Sequence, residues 1–222
     1  FDCASTDAAV WEAGTGTITF DSATGDANYT PCAITTEPHF NNATFSSTGG
    51  TAQTFTFTTN NFRWAGTLTV FDSVSTTAIA TTDLTLAGGA LSVGNGGILA
   101  ANASTVTVSS VTMAGGVSGI ITVTTGAWTV SGNWDTSGVG STYTQGTGIV
   151  TFDATASITM LAADNAFDDL TVSVGTATIN TNLVITNALT LSGGTYAKGT
   201  TTLSAGSLTM SGGDMTSTSG SV

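Results

Sequence analysis

Short runs in which apolar residues alternate with threonine recur along the whole chain, and they constrain its fold more than any other feature. Examples lie at residues 17–20, 54–57, 67–70, 106–108 and 149–152. Alternation with a period of two puts apolar side chains on one face of a β-strand and hydroxyl groups on the other. Helical spacing of apolar residues is found only in residues 2–12. The sequence therefore predicts an all-β protein whose strands have one buried face and one threonine face.

A six-residue unit that ends in two glycines occurs four times. Its copies read leucine or valine, threonine, leucine or methionine, alanine or serine, and two glycines, at residues 84–89, 111–116, 189–194 and 208–213. We interpret each copy as a strand followed by a tight turn, because glycine tolerates the positive φ that such turns need. The intervals between neighbouring copies, from position 84 to 111 and from position 189 to 208, are each a plausible length for one coil of a solenoid. The unit predicts coils that stack their strands in register.

A longer similarity relates the two halves of the chain. Three pairs of segments correspond, at offsets of 132, 127 and 121: residues 14–21 with 146–153, residues 39–45 with 166–172, and residues 61–68 with 182–189. Offsets that shrink steadily are expected of two divergent copies of one module that differ by loop deletions. We interpret the chain as a complete first module followed by a second module that runs out at Val222.

Two β architectures fit these patterns. The preferred one is a parallel β-solenoid, or β-helix-like repeat, with residues 61–222 as the threonine- and glycine-rich repeat region. Residues 1–60 would then form a disulfide-tied N-terminal segment that acts as a cap or a docking element. The alternative is a pair of tandem β-sandwich modules, which the irregular strand spacing and the two-fold similarity also allow.

Cys3 and Cys32 are the only two cysteines, and no cluster of cysteine and histidine accompanies them. Metal binding is therefore a poor explanation for them. We expect a disulfide rather than two free thiols, with a contribution of about 3–4 kcal/mol from loop-closure entropy. A disulfide indicates an oxidising compartment, so the expected location is extracellular or at the cell surface.

The charge balance excludes several classes of partner. Fourteen acidic residues stand against Arg63 and Lys198 alone, which gives a net charge of −12. Two cationic residues are too few for a groove that binds the phosphates of a nucleic acid, and anionic membrane surfaces are disfavoured. No apolar run approaches the roughly 18 residues that cross a bilayer. Lys198, as the single lysine, is expected to be a solvated amine.

The repeat unit and the tripeptide Gly132-Asn133-Trp134 resemble the Thr/Ser/Gly-rich repeat regions of large bacterial and archaeal surface proteins, including adhesin-like β-solenoids. The resemblance covers most of residues 60–222 and excludes the N-terminal part with its expected disulfide. It implies a surface location and supplies no catalytic residue.

Catalytic, metal and cofactor sites are not expected. His39 is the only histidine and no Gly-x-Ser-x-Gly motif is present, so a triad or a metal centre would rest on one residue. The densest acidic group is Asp164, Asp168 and Asp169. We expect turn aspartates such as these to bond to their own backbone. If Ca²⁺ binds anywhere, this group or the pair Asp21 and Asp26 is the first candidate.

Aromatic residues and glycosylation motifs are the remaining candidates for binding. Core filling is the expected role of most of the large aromatic side chains, which are Trp11, Trp64, Trp128, Trp134, Phe40 and Phe167. Trp128 or Trp134 is the candidate for an outward ring that stacks on sugar. Asn28, Asn42 and Asn102 begin N-glycosylation motifs. Glycans are thus a secondary expected partner.

The expected function is a self-assembling structural subunit of an extracellular filament or surface layer. An uncapped last coil would leave a β-edge for the next subunit, so the main expected partner is a second copy of the chain. A stalk or adhesin fragment of a larger surface protein is the alternative. A polysaccharide-active β-helix enzyme is the least favoured interpretation.

Overall fold

The computed structural model describes residues 14–21, 26–29, 40–47, 52–57, 61–71, 77–81, 84–113 and 119–219. Within these ranges the chain forms 22 strands and no helix, which confirms the predicted all-β class. The strands are Thr17–Asp21 (β1), Ala27–Tyr29 (β2), Asn42–Ser46 (β3), Gln53–Phe57 (β4), Phe62–Val70 (β5), Thr77–Thr81 (β6), Thr85–Val93 (β7), Gly97–Asn102 (β8), Thr105–Met113 (β9), Ile120–Val123 (β10), Trp128–Val130 (β11), Trp134–Thr136 (β12), Thr142–Thr144 (β13), Ile149–Phe152 (β14), Ala156–Met160 (β15), Ala166–Phe167 (β16), Asp169–Val172 (β17), Thr176–Ile179 (β18), Leu183–Leu191 (β19), Thr195–Ala197 (β20), Leu203–Met210 (β21) and Asp214–Thr216 (β22).

All strand pairs among the described residues are parallel, and each strand pairs with one that lies a coil away in the sequence. The shortest coil runs from Phe167 to its register partner Ile185, and the longest runs from Ala27 to Phe55. The result is a parallel β-solenoid of about eight turns. The preferred architecture is confirmed, and the alternative of two β-sandwiches is wrong, because sandwiches are built from antiparallel strands.

Three walls enclose the core, and we define each by a column of register partners. The first wall contains Phe62, Leu86, Val106, Trp128, Val150, Leu170, Leu189 and Leu208. The second wall contains Ile18, Ala43, Leu68, Leu91, Val111, Trp134, Ile158 and Ile179. The third wall begins with β2, β4, β6, β8, β10 and β13. Residues one position before or after these columns face outward, as alternation requires.

One glycine pair lies inside a described strand. Gly88 and Gly89 belong to β7, which bends from the first wall into the second without a turn. A Cβ atom at Gly88 would lie 2.3 Å from the carbonyl oxygen of Trp64 and 2.4 Å from its indole ring. Glycine is required there because the indole fills the corner. The predicted turn is wrong for this copy. At residues 189–194 and 208–213 the glycines follow the strand at a bend, but none of them has the positive φ that the prediction invoked. The glycines of the copy at residues 111–116 lie outside the described residues.

The spacing of the six-residue units gives one correct coil length and one wrong one. Leu189 and Leu208 are register partners, so the interval between the last two copies is one coil, as predicted. Leu86 pairs instead with Val106, while Val111 pairs with Leu91. The copies at residues 84–89 and 111–116 therefore begin on different walls, and the interval between them is not a coil length.

The similar segments of the two halves also occupy different walls. β1 pairs with β3 in the second wall, whereas its counterpart β14 pairs with β11 and β17 in the first wall. The same change of wall separates β3 from its counterpart β17. The sequence similarity therefore preserves local structure at the coil corners rather than a position on the solenoid.

Aromatic side chains cluster in contact with one another at two levels of the core. Phe45 is fully buried near the first described coils, and its ring lies 4.5 Å from that of Phe20 and 5.4 Å from that of Phe57, between centroids. Trp134 is fully buried in the middle of the stack, with its ring 5.1 Å from that of Tyr143 and 5.3 Å from that of Phe167. Aliphatic rungs separate the two levels. The core is continuous from the first described coil to the last.

Candidate functional site

The last described coil leaves apolar residues of its first wall in contact with solvent. Leu208 and Met210 in β21 are 44% and 50% exposed, whereas their register partners Leu189 and Leu191 in β19 are fully buried. Among the described strands, β21 pairs only with β19. Its other edge presents unpaired backbone groups beside apolar side chains, which is the combination that accepts an added strand.

A shallow depression of about 660 Å³ follows the first part of this edge and is lined by residues 202–208. Ligand pockets usually gather side chains from several elements, but this depression is lined by one strand and the residue before it. The depression is therefore the exposed end of the stacked strands and not a ligand pocket. We call the unpaired edge of β21, with Leu208 and Met210, the terminal edge.

Lys198 lies in the core beside the terminal coil, and the expectation of a solvated amine is wrong. Its side chain is fully buried, and Nζ donates hydrogen bonds to the carbonyl oxygens of Thr201 at 2.8 Å and Ser219 at 3.3 Å. Ala197 is the register partner of Thr178. Lys198 therefore occupies the position in the second wall that Ile179 occupies one coil earlier. The hydrocarbon stem takes the place of an apolar side chain, and the carbonyl groups receive the ammonium group.

Six asparagine and aspartate side chains bond to the backbone of the next coil. In each case a side-chain oxygen accepts an N–H group at 2.8–3.0 Å. The pairs are Asp26 with Thr54, Asn42 with Thr67, Asn61 with Thr85, Asn133 with Ser157, Asp169 with Ala188, and Asn182 with Thr202. We call these contacts the inter-coil caps. The residue after each cap residue lies in a strand. Its register partner in the next coil is the residue that follows the one whose N–H is bonded.

The inter-coil caps explain part of the similarity between the two halves. Asn42 and Asp169 correspond at the offset of 127, and Asn61 and Asn182 correspond at the offset of 121. All four are cap residues. The sequence signal was an Asn or Asp at the start of a strand or directly before it, together with its recurrence in the second half of the chain. Sequence reasoning missed this signal because it sought the hydrogen-bond partner within the same turn.

The acidic residues near 164–169 are used for coil contacts. Asp169 Oδ1 accepts hydrogen bonds from the Ala188 N–H at 3.0 Å and from Asn187 Nδ2 at 2.8 Å, and Asp168 Oδ1 accepts one from Thr186 Oγ1 at 2.8 Å. The expected bonding of these two carboxylates to their own backbone is wrong, because both bond across coils. In the described part of the chain no three His, Cys, Asp or Glu residues form a group that would hold a metal ion.

The tryptophans do not offer rings to sugars where the structure describes them. Trp128 and Trp134 are fully buried, and Trp64 is 2% exposed. The suggestion of an outward Trp128 or Trp134 is wrong, because both occupy wall columns that face the core. Phe40 and Phe167 are likewise buried. Trp11 and His39, like the expected disulfide of Cys3 and Cys32, lie outside the described residues.

The glycosylation motifs lie on strands and at a corner. Asn28 is part of β2, and Asn42 begins β3 with its side-chain oxygen bonded to the Thr67 N–H. Asn102 ends β8 with a positive φ of 50°, and its Nδ2 donates a hydrogen bond to the Ala100 carbonyl at 3.3 Å. Glycosylation of these three residues stays a prediction.

The outer surface of the first wall carries a column of threonines. Six successive coils place one at the same register position: Thr107, Thr129, Thr151, Thr171, Thr190 and Thr209. None of the six is buried. The predicted threonine face is present here, and β-branched hydroxyl residues suit it because they fit the pleat and remain hydrated.

Two buried tyrosines have strongly shifted acidities. Desolvation by burial raises the pKa of Tyr143 and of Tyr196 well above the ordinary value of 10.0. A phenolate in the core would lose its hydration. Both side chains are therefore neutral over the physiological pH range.

The fold defines the class, which is a parallel β-solenoid repeat protein. Comparison of the chain with protein-family models, with curated proteins and with solved structures gave no match. Among the described residues no helix is long and apolar enough to span a membrane.

Proposed function

We propose that the protein is a structural subunit of an extracellular filament or cell-surface layer, which assembles by stacking one solenoid on the next. The observation that carries the proposal is the terminal edge, where Leu208 and Met210 are about half exposed. Full burial of such a side chain contributes about 1.5–3 kcal/mol, so covering the exposed half contributes about 1 kcal/mol each. A partner strand would also satisfy the unpaired backbone groups of β21.

The surface chemistry of the walls supports growth along the axis. Only 7% of residues are charged, the net charge is −12, and the first wall is covered by threonine. Because the walls are hydrated and carry charge of the same sign, side-by-side association of two solenoids is unfavourable. A contact between different ends of two copies is heterologous and therefore repeats into an open fibre.

An extracellular location for such a filament is supported by composition. Threonine and serine keep a weakly charged surface hydrated, and the predicted disulfide between Cys3 and Cys32 requires an oxidising compartment. The proposal assigns the protein no catalytic activity and no cofactor. Its partner is a second copy of the chain, with glycans as a secondary partner through the motifs at Asn28, Asn42 and Asn102.

Substitutions at the terminal edge test the proposal. Leu208→Asp combined with Met210→Asp places two carboxylates where a coil would stack, and we expect the concentration needed for assembly to rise more than tenfold, which corresponds to about 1.4 kcal/mol. The matched control is Val174→Asp, because Val174 is 58% exposed in the connection between β17 and β18. Sedimentation of each variant over a concentration series measures assembly.

Two outcomes would count against a filament. If the wild-type protein stays monomeric at every concentration, the terminal edge is covered by further coils of a longer chain, as in a stalk or adhesin of a larger surface protein. If the double substitution assembles as well as Val174→Asp does, the contact lies elsewhere on the molecule.

A further inference from the structure

The third wall is interrupted in the middle of the solenoid. β13 pairs only with β10, and β16, which follows β15 as third-wall strands do, pairs only with β19. A turn closed by the Asp164 N–H and the Leu161 carbonyl at 3.0 Å precedes β16. The rings of Tyr143 in β13 and Phe167 in β16 still contact, with centroids 5.8 Å apart. The side chains continue the stack at this level, although the backbone ladder stops.

The coil that contains β13 also holds a group of buried polar atoms without hydrogen-bond partners. Five such atoms lie within residues 128–145: Trp128 Nε1, Trp134 Nε1, Thr136 Oγ1, Ser141 Oγ and Gln145 Oε1. Buried polar groups in native proteins are nearly always paired, with protein or with ordered water. Leaving one unpaired costs its full desolvation free energy. Five in one coil require a common explanation.

These groups form a neutral and mutually complementary set. The two indole N–H groups are donors, the Gln145 amide oxygen is an acceptor, and the two hydroxyl groups of Thr136 and Ser141 are both. None carries a charge, so the set offers no counter-charge to an ion. Water is the small ligand that donates and accepts two hydrogen bonds each and needs several polar partners in a buried site.

Position in the fold connects the set to the interrupted wall. The ring centroids of Trp128 and Trp134 are 5.7 Å apart, and the ring of Trp134 is 5.1 Å from that of Tyr143 in β13. Ser141 and Gln145 flank β13 directly in sequence. The unpaired polar atoms thus come from the coil at which the third wall lacks its next backbone rung.

We propose that this coil is an internal water-binding site, which water enters through the interruption of the third wall. We call it the hydrated seam. Water molecules bridge the indole N–H groups, the Thr136 and Ser141 hydroxyl groups and the Gln145 amide oxygen. The seam exchanges water with solvent faster than the continuous walls permit, because no ladder hydrogen bonds between β13 and β16 have to break.

Magnetic resonance of the wild-type protein in water tests the site directly. We expect cross-peaks between long-lived water and the indole protons of both Trp128 and Trp134. Trp64 is the internal control, since its Nε1 donates to the Ala90 carbonyl at 3.0 Å and needs no water. Absence of water cross-peaks from Trp128 and Trp134 overturns the proposal.

A stability measurement gives a second, independent result. Thr136→Val keeps the shape of the side chain and removes the hydroxyl, and the matched control is Thr129→Val, which replaces a half-buried outward threonine on the neighbouring strand β11. If Thr136 holds water, its variant has the lower denaturation midpoint of the two. A midpoint equal to or above that of Thr129→Val overturns the proposal, because removing a dry, unpaired hydroxyl stabilises a core.

Discussion

At the scale of the residue, single side-chain hydrogen bonds hold neighbouring coils in register. Each inter-coil cap supplies an acceptor to a backbone N–H where a strand begins or bends, so it acts on a coil as an N-cap acts on a helix. Asparagine and aspartate serve equally, because both present an oxygen at the same distance from the backbone. The caps supply polar contacts between coils in a chain whose two basic residues are too few for a network of salt bridges.

Removing one cap is expected to destabilise the protein. Asn61→Ala leaves the Thr85 N–H, which now bonds to Asn61 Oδ1 at 2.9 Å, without its partner, and we expect a loss of about 1–2 kcal/mol in the free energy of unfolding. Chemical denaturation measures it.

Two further variants control for this loss. Asn61→Asp keeps the acceptor, as Asp26 and Asp169 do, and should retain most of the stability. Asn180→Ala removes an exposed amide that bonds only to the side chains of Ser157 and Thr159, and a change within about 0.5 kcal/mol is expected. Equal losses for Asn61→Ala and Asn180→Ala would show that the caps have no special role.

Alkaline pH is expected to destabilise the protein through its buried tyrosines. The folded-state pKa of Tyr143 and Tyr196 lies above the unfolded value of 10.0, so above that pH the unfolded state has lost protons that the folded state keeps. Stability is therefore constant below pH 10.0 with respect to these groups and falls as the pH rises further.

Tyrosinate absorbance during an alkaline titration checks this behaviour. Tyr143→Phe and Tyr196→Phe should each weaken the fall in stability above the unfolded pKa. If the ionisation of the two tyrosines precedes any loss of structure, the side chains are not buried as described.

At the scale of the element, the corners decide how strands are distributed among walls. β5, β7, β9, β19 and β21 each pass through a corner, and the ladder shifts register in β5 and β19 where the chain bends. A shift of register or a close approach of backbones lets one strand serve two walls. Small residues are therefore required at the bend, because the backbones lie too close together for a larger side chain.

Adding a methyl group at one of these corners is expected to be costly. Gly88→Ala places a Cβ atom 2.3 Å from the Trp64 carbonyl oxygen, and we expect a loss of about 1–3 kcal/mol from overpacking. Gly16→Ala is the control, because a Cβ atom there meets nothing within 4 Å. Thermal or chemical unfolding compares the two. Equal stability of both variants would contradict the packing of Trp64 against β7.

Local pattern predicted the strands, but it did not predict their walls. Alternation identified strands such as Thr17–Asp21 and Ile149–Phe152 because the period of two is a property of the strand alone. Wall assignment depends on coil length, which varies along the solenoid, and on bends such as the one at Gly88. The burial of Lys198 could not be predicted from the sequence either, because it depends on the register of β20 against β18.

At the scale of the molecule, the described coils form one stack that has a column of threonines on its first wall and the apolar terminal edge at its last described coil. Composition predicted the sides, since the threonine column of the first wall follows from alternation. The terminal edge could be anticipated only as an uncapped coil, because the exposure of Leu208 and Met210 depends on what stacks against them. The terminal edge carries the proposal of end-to-end assembly, and the walls explain why assembly would remain linear.

Electron microscopy of the assembled wild-type protein tests end-to-end stacking most directly. A solenoid of about eight turns with a rung spacing of about 4.8 Å predicts fibres one molecule wide, in which each subunit advances the axis by about 40 Å or more. Strands should run perpendicular to the fibre axis and continue across each joint. Isolated short rods, or fibres joined through the side walls, would contradict the account.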